Sequence, residues 1–507
     1  MNIIYVTMGS LYKPCFDTFI KNKHELSNTG FYVSDKFFFQ KHYINDCSVK
    51  YLKEWDLTEK LSSLKLNTKL IIELEKKYFS DESIWNSLNI DRRLFLGKYV
   101  KNSQNYKPSY EYEDLLKLFQ EFSLNIERFI DEIKPNIIIG FSPTTLGEYL
   151  FVKIAKQKKI PYHILRSVKL KNYQTFTMSM FEEYHHIQES YNSYSSSNNI
   201  EQTILIEAKK YLLNFDEGSL AYEGNVKTPE IYQVFKLMHV VNYFKFLAKD
   251  ILTIIHIRDN HNRELYSLRY LYDYPIRNYK IKYLKGININ RTIYKINYIK
   301  NNKYIFYPLH AEPEIAISNF SRRYQNQIEV IRNIALQMPV DYKLLVKEHP
   351  RNIGRRGKGY YEKILRIPNV DFANFELPSI EIVRASKLVI VLSGNIGFEA
   401  VLSQVPVISF GSAIYNMLPT TMVNHLSSMN NLHFEITNTI ESYKYSKDEI
   451  LKYISAIIAN SFSLDLYTVL LKKDGREGGV EFNVENYNKN IEIFSSKIYQ
   501  LFPKKIH

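Results

Sequence analysis

Two short polar segments carry the residue types best suited to holding an anion. They are Lys347-Glu348-His349-Pro350 and Ser393-Gly394-Asn395. His349 follows a strand-like run, and Pro350 makes that junction rigid, so the imidazole is held at an edge where it can donate to a phosphate oxygen. Lys347 adds positive charge. Strand alternation can instead turn Lys347 or Glu348 into the flank of a sheet. Ser393-Gly394-Asn395 is a turn of small residues ahead of a helical run. Such turns let a ligand reach the backbone, and the helix start supplies free N–H groups and the positive end of the dipole. An ordinary cap by Ser393 or Asn395 explains the same turn. Glu399 lies one helical turn further on, and His310, Glu312 and Glu314 follow another apolar run.

The elements around these segments repeat at short intervals. Apolar runs at Tyr304–Leu309, Tyr342–Val346, Val370–Phe372, Leu388–Leu392 and Val405–Phe410 predict strands. Helical spacing over Gln327–Met338, Pro378–Ala385 and Asn395–Ser403 predicts helices between them. Alternation of this kind means a parallel sheet with covering helices, whose ligands sit beyond the carboxyl ends of the strands. Met1–Thr7 predicts a first strand and Asp114–Ile133 an amphipathic helix. Pro135–Gly140, Leu146–Gln157 and Ile160–Leu165 predict a further strand–helix–strand unit. The pattern from Lys13 to Glu132 reads as mainly helical, Tyr173–Asn199 as loop with a short helix, and Tyr415–Met429 as helix.

At 507 residues the chain is too long for one ordinary domain and comfortable for two. Its two cysteines, Cys15 and Cys47, lack metal-ligand spacing and argue against a disulfide framework. The start lacks the features of a signal peptide, and no apolar run is long enough to span a membrane. A cytoplasmic protein is expected. The formal charge is +14, and between Ile231 and Lys300 there are 13 Lys and Arg against 4 Asp and Glu. Such an excess suits nucleic acid, anionic lipid or an anionic substrate. No zinc-finger, RNP or helix-turn-helix signature accompanies it, so no nucleic acid is expected.

Taken together, Tyr307-Pro308-Leu309-His310-Ala311-Glu312-Pro313-Glu314, Gln327, Lys347–Pro350, Ser393–Ala400, Pro406 and Phe410-Gly411 resemble the capsule polysaccharide biosynthesis family. That family is similar to the bacterial β-Kdo transferases of capsule assembly. The resemblance is good over roughly residues 300–415 and weak over Lys134–Ser167. It implies a GT-B-like α/β fold: two Rossmann-like lobes with a cleft between them and a basic, largely helical middle segment. The expected units are 1–215 (acceptor lobe), 216–300 (basic linker), 301–480 (donor lobe) and 481–507 (closing helix).

The implied activity is transfer of a sugar, with Kdo or a related ulosonic acid on a CMP donor as first choice, to a glycan or lipid-linked acceptor. Lys347, Glu348, His349, Pro350, Ser393, Gly394, Asn395 and Glu399 would bind the donor, Glu399 through ribose hydroxyls. His310 and Glu314 are the implied catalytic residues. The first-lobe base is open among Ser10, Thr144, Glu148, Arg166, Glu182 and Glu183. Glu148 is the one carried forward as catalytic, and Arg166 as an acceptor- or anion-binding residue. No metal or other cofactor is expected, because the cleft segments lack the Asp-x-Asp of GT-A enzymes. Residues 231–300 would rest on anionic membrane. Alternatives are a UDP- or GDP-sugar transferase, a nucleotide-sugar epimerase, a non-catalytic assembly protein and a nucleic-acid-binding protein.

Overall fold

The computed structural model describes residues 1–7, 9–21, 26–36, 39–40, 49–95, 110–197, 199–216, 248, 292–293, 295–312, 314–356, 358–472 and 482–502. The basic middle segment, and with it the membrane-facing role expected of 231–300, falls almost wholly outside them.

The first sheet is built from β1 (Asn2–Val6), β2 (Asn28–Val33), β3 (Lys50–Lys53), β4 (Ile137–Gly140), β5 (Tyr162–Ser167) and β6 (Tyr173–Thr177). The second holds β7 (Thr292–Ile293), β8 (Tyr304–Pro308), β9 (Lys343–Lys347), β10 (Val370–Ala373), β11 (Leu388–Val391), β12 (Val407–Ser409) and β13 (Val423–His425). A last strand, β14 (Phe462–Ser463), returns to the first sheet. The orders are β14-β6-β5-β4-β1-β2-β3 and β13-β12-β11-β8-β9-β10-β7. All pairings in the second sheet are parallel, and in the first only β5–β6 and β6–β14 are antiparallel. The chain therefore has the expected α/β, GT-B-like architecture of two Rossmann-like sheets.

The helix Tyr112–Ile133 shows how sequence builds this frame. Leu115, Phe119, Phe122, Ile126, Phe129 and Ile133 recur three and four residues apart and are all buried. Glu113 and Asp114 favour its first turn, and Lys134 ends it in the left-handed conformation at φ 49°. Its stripe joins Ile4, Ile138 and Ile164 in one core, and each fully buried side chain contributes roughly 1.5–3 kcal/mol. Replacing Phe119 by alanine would cost about 3–5 kcal/mol.

Three expectations need correction. Lys13–Glu132 is not merely helical, because β2 and β3 extend the first sheet there. β2 is too short and too uniformly buried to show a period of two, and β3 is a lysine-bearing edge. Tyr173–Thr177 is a strand, and the following helix is a full one, His185–Ser197. Tyr415–Met429 holds a 3-10 turn and β13 rather than a helix, and Leu432–Glu441 supplies the helix instead. Pro419, which lacks an N–H, lies within that stretch.

Chain position and core membership differ at two places. Helices His185–Ser197 and Gln202–Asp216 share a core with β8, β11 and helix Lys447–Ala459 of the second sheet. Conversely Leu464, Leu466, Leu470 and helix Val484–Gln500 lie against the first sheet with Tyr5, Phe16 and Phe31.

Candidate functional site at the carboxyl edge of the second sheet

β8 delivers Leu309 and His310 to the edge where β11 ends. The backbone of His310 is clamped by Gln327, whose Oε1 accepts from His310 N at 2.7 Å and whose Nε2 donates to His310 O at 3.2 Å. Arg356 Nη2 donates to the same carbonyl at 2.9 Å. The imidazole Nε2 accepts from Leu392 N at 3.3 Å, which leaves the ring proton on Nδ1. Burial, with the Lys169 and Arg356 charges, pushes His310 down to about 4. It is a neutral N–H donor at physiological pH.

His349 is arranged in the same way. It caps the 3-10 turn Pro350–Asn352, its Nδ1 accepting from Arg351 N at 3.1 Å, so its proton sits on Nε2. Burial, then the charge of Arg351, holds it down at about 3, and His310 is among the groups that act on it. Pro350 takes the first position of that turn, where a missing N–H is harmless.

The Lys347-Glu348 pair divides as strand alternation allows. Lys347 Nζ donates to Ser379 Oγ at 2.8 Å, and burial lowers its ammonium to about 8. Glu348 turns away. Its carboxylate meets Arg356 Nε at 2.9 Å, Tyr361 OH at 2.8 Å and His349 N at 2.7 Å. It therefore braces the turn that carries His349 rather than facing a ligand. Arg356 also pairs with Glu312 at 3.1 Å, completing a buried support behind both histidines.

Ser393 is a second inward-facing residue. It is buried, donates to Ala316 O at 3.0 Å and lies 3.2 Å from Ser321 Oγ. Gly394 is the member of the turn that faces His310. A Cβ there would stand 2.9 Å from His310 Cε1, so only glycine lets the ring pack against the start of helix Asn395–Leu402. Its carbonyl accepts from Tyr415 OH at 2.8 Å. Asn395 opens that helix half-buried. Glu399, one turn on and also half-buried, is pushed up to about 7 by burial, with Lys347 pulling the other way. No hydrogen bond joins Glu399 to another side chain among the described residues. His310, His349, Gly394, Asn395, Lys347 and Glu399 are thus gathered at one edge.

The remaining expected residues are placed differently. Glu314 starts helix Ile315–Ser318 and meets Arg351 at 3.3 Å, on the outer side of the His349 turn. Glu148 is buried in a capping box with Thr145. Its Oε2 accepts from Thr144 N at 2.7 Å, Thr144 Oγ1 at 3.1 Å and Thr145 N at 3.0 Å. Its Oε1 lies 2.6 Å from Thr7 Oγ1, which also lies 2.8 Å from Val6 O. Thr7 has one hydroxyl proton, so both contacts are satisfied when the Glu148 carboxyl is protonated, and burial pushes it that way. A carboxyl so engaged braces the β4 loop.

Arg166 is the penultimate residue of β5, at the junction of the lobes, its guanidinium 4.8 Å from the centre of the Phe320 ring. Asn319 donates to Met180 O at 2.9 Å and Arg322 meets Glu82 at 2.8 Å, so the two sheets touch through these residues. Glu182 pairs with Lys169 at 2.8 Å, and Glu183 accepts from Ser179 Oγ at 2.9 Å. Thr144 serves Glu148, and Ser10 lies in helix Gly9–Lys21. Sequence reading missed Arg356, Lys169 and Tyr415 as parts of the site. Nothing in their local sequence distinguishes them, because each acts through a partner distant in the chain. Gln327 was visible as a helix-start residue without its clamp.

Residues 246–444 match the family model described as capsule polysaccharide biosynthesis protein. The resemblance read from the motifs over roughly residues 300–415 lies inside that span. No curated protein matches the chain. Among solved structures, a β-Kdo 2,4 transferase, KpsC of Thermosulfurimonas dismutans, is similar at 12% identity and TM-score 0.36, over 70% of this chain and 87% of that one. The β-Kdo 2,7 transferase of the same organism gives 12% and 0.34, over 73% and 89%. A UDP-GlcNAc 2-epimerase of Neisseria meningitidis bound to UDP-GlcNAc gives 12% and 0.27, over 99% and 100%. At such scores these likenesses carry no argument of their own. Among the described residues no helix is long and apolar enough to cross a membrane.

Proposed function

We propose that this chain is a glycosyltransferase of surface-polysaccharide assembly, binding a nucleotide-activated sugar at the carboxyl edge of the second sheet. One observation carries the reading: two neutral histidines, each fixed by an N–H bond to one ring nitrogen, face the same edge as the helix start at Gly394. Their other N–H groups and the first turn of the helix suit a phosphate. As the bond between sugar and phosphate breaks, charge grows on the leaving nucleotide, and prepositioned donors stabilise it. Glu399, about one turn into the same helix, would accept from the ribose hydroxyls. The match over 246–444 to a capsule biosynthesis family supports the same direction.

The finer proposals follow from the motifs. The donor is CMP-linked, with Kdo or a related ulosonic acid as the sugar, and the acceptor is a glycan or lipid-linked glycan. N–H donors and Lys347 meet the phosphate charge, so transfer is proposed to need no divalent ion. Residues 1–215, 216–300 and 301–480 are proposed as acceptor lobe, basic linker and donor lobe, with 481–507 as the closing helix. The linker would hold the enzyme on the inner face of an anionic membrane, each basic residue adding about 1 kcal/mol.

Calorimetric titration with CMP, UDP and GDP, followed by transfer assays with a panel of nucleotide sugars with and without EDTA, tests this. CMP should bind, and turnover should survive the chelator. If none of the three nucleotides binds, the donor reading falls. Turnover of a UDP-sugar without any acceptor would favour an epimerase instead.

A further inference from the structure

We infer that Arg166 is a specificity-determining anion site which the first lobe presents to the sugar-binding edge of the second. It would take an oxyacid group of a substrate, either a carboxylate of the transferred sugar or a phosphate of the acceptor. The inference rests on the transferase reading for its ligand and on an anomaly of charge for its site.

Three arginines are deeply buried among the described residues: Arg93, Arg166 and Arg356. Arg93 is neutralised by Glu54 and Asp91, each at 2.6 Å. Arg356 is neutralised by Glu348 at 2.9 Å and Glu312 at 3.1 Å. Arg166 is only 3% exposed, yet no carboxylate of the described residues lies within ion-pair distance of it. Its Nη2 donates to Met180 O at 2.5 Å, its face covers the Phe320 ring, and its Nε has no partner. A buried charge without a counterion is expensive. The fold twice supplies a pair of carboxylates and here supplies none, which points to a counterion that arrives from outside.

The acids nearest in sequence are already engaged. Glu182 is buried against Lys169, and Glu183 is exposed and bonded to Ser179. The connection from Arg166 to Glu182 therefore carries three cations, of which Lys169 takes Glu182 and Lys171 lies 3.8 Å from Glu207. Lys169 and Lys171 sit there at φ 61° and 46°, a left-handed conformation that lysine adopts at a cost, consistent with a turn held for use.

Location links this charge to the donor edge. Met180 O, which accepts from Arg166, also accepts from Asn319. The next residues reach the same edge: Phe320 O accepts from Ser412 N at 3.0 Å, beyond β12, and Ser321 Oγ lies 3.2 Å from Ser393 Oγ in the turn itself. Arg166 is thus linked, through Phe320 and Ser321, to the turn that carries Gly394. Its planar fork suits carboxylate and phosphate alike.

The test uses the full chain at pH 7, titrated calorimetrically with free Kdo, inorganic phosphate and CMP separately, for wild type, Arg166→Gln and Arg166→Lys. At least one of the two anions should bind the wild type. It should bind the glutamine variant roughly tenfold more weakly or worse, with the lysine variant between them and CMP unchanged. Kdo without phosphate would assign the site to the donor sugar, and phosphate without Kdo to the acceptor. The inference is overturned if neither anion binds the wild type, or if both variants bind as the wild type does. It is equally overturned if both variants melt lower and lose CMP and anion together, since that marks a latch between lobes. Failure of CMP to bind the wild type would remove the donor reading while the anion titrations still decide Arg166.

Discussion

Gly394→Ala is the sharpest probe of the donor edge, because the structure sets its effect in advance. The backbone at Gly394 has φ −85° and ψ 160°, a region any residue adopts, so alanine brings no backbone strain. Its methyl group meets His310 Cε1 at 2.9 Å, well inside ordinary carbon contact, and the ring must move by roughly half an ångström or more. His310 cannot swing freely, because Gln327 and Arg356 hold its backbone. The weakest restraint is the 3.3 Å bond from Leu392 N, and it should break first. Overpacking of this size costs about 1–3 kcal/mol of stability. Misplacing one charge-assisted donor should cost a further ~1.5–3 kcal/mol of phosphate binding, which is about tenfold or more in Kd. Calorimetry of CMP binding beside thermal melting separates the two effects. Gly359→Ala is the control: nothing lies within 4 Å of that Cβ. It sits in helix Lys358–Leu365, so alanine should raise stability by up to about 1 kcal/mol and leave binding alone. If Gly394→Ala binds CMP within twofold of wild type, His310 is not a phosphate donor and the argument from the histidine pair fails.

Glu399 gives a pH signature. Burial pushes its carboxyl from 4.5 to about 7, so CMP affinity should rise with pH and level off above about 7, and Glu399→Gln should flatten the profile. An unchanged profile in the variant would remove the ribose role. The same shift has a sign for stability. The folded state holds this proton more tightly than the unfolded chain, so the contribution is complete below 4.5 and is lost as pH rises through 7. It amounts to on the order of 2–3 kcal/mol, and the melting-temperature advantage of Glu399→Gln should grow across that window. For Glu148, alanine should cost about 2–4 kcal/mol by stranding Thr7 and the N–H groups of Thr144 and Thr145. Glutamine can replace those contacts and should keep both fold and turnover. Turnover lost about a hundredfold in Glu148→Gln at an unchanged melting temperature would assign it as a proton carrier.

The proposed donor edge is legible because its signals are local. A strand running into His349-Pro350, and a small-residue turn before a helix at Ser393–Asn395, declare themselves over a few residues. The same local reading could not sort inward from outward residues. Glu348 and Ser393 belong to the motifs yet serve the scaffold, since Arg356, Tyr361 and Ser321 claim them from elsewhere in the chain. Glu148 shows a related limit: a carboxylate near a strand's end looks available until Thr7, far away in sequence, is seen to meet it. β2 and β3 were lost among helical signals because a short strand buried on both faces has no period. Arg166 was noticed by charge, but only the carboxylate pairs around Arg93 and Arg356 make its lack of one meaningful.

The closing helix Val484–Gln500 has a consequence for how the protein is made. Phe494 and Ile498 complete the core formed by Tyr12, Phe16 and Phe19 at the other end of the chain. During synthesis at about 5–20 residues per second, that face of the first sheet must wait roughly half a minute to a minute and a half for its cover. Through that interval an aromatic surface is open while the second sheet is already emerging. Nascent chains should therefore engage chaperones until that helix has emerged from the ribosome, and chains stopped short of it should aggregate even though residues 304–411 have been made.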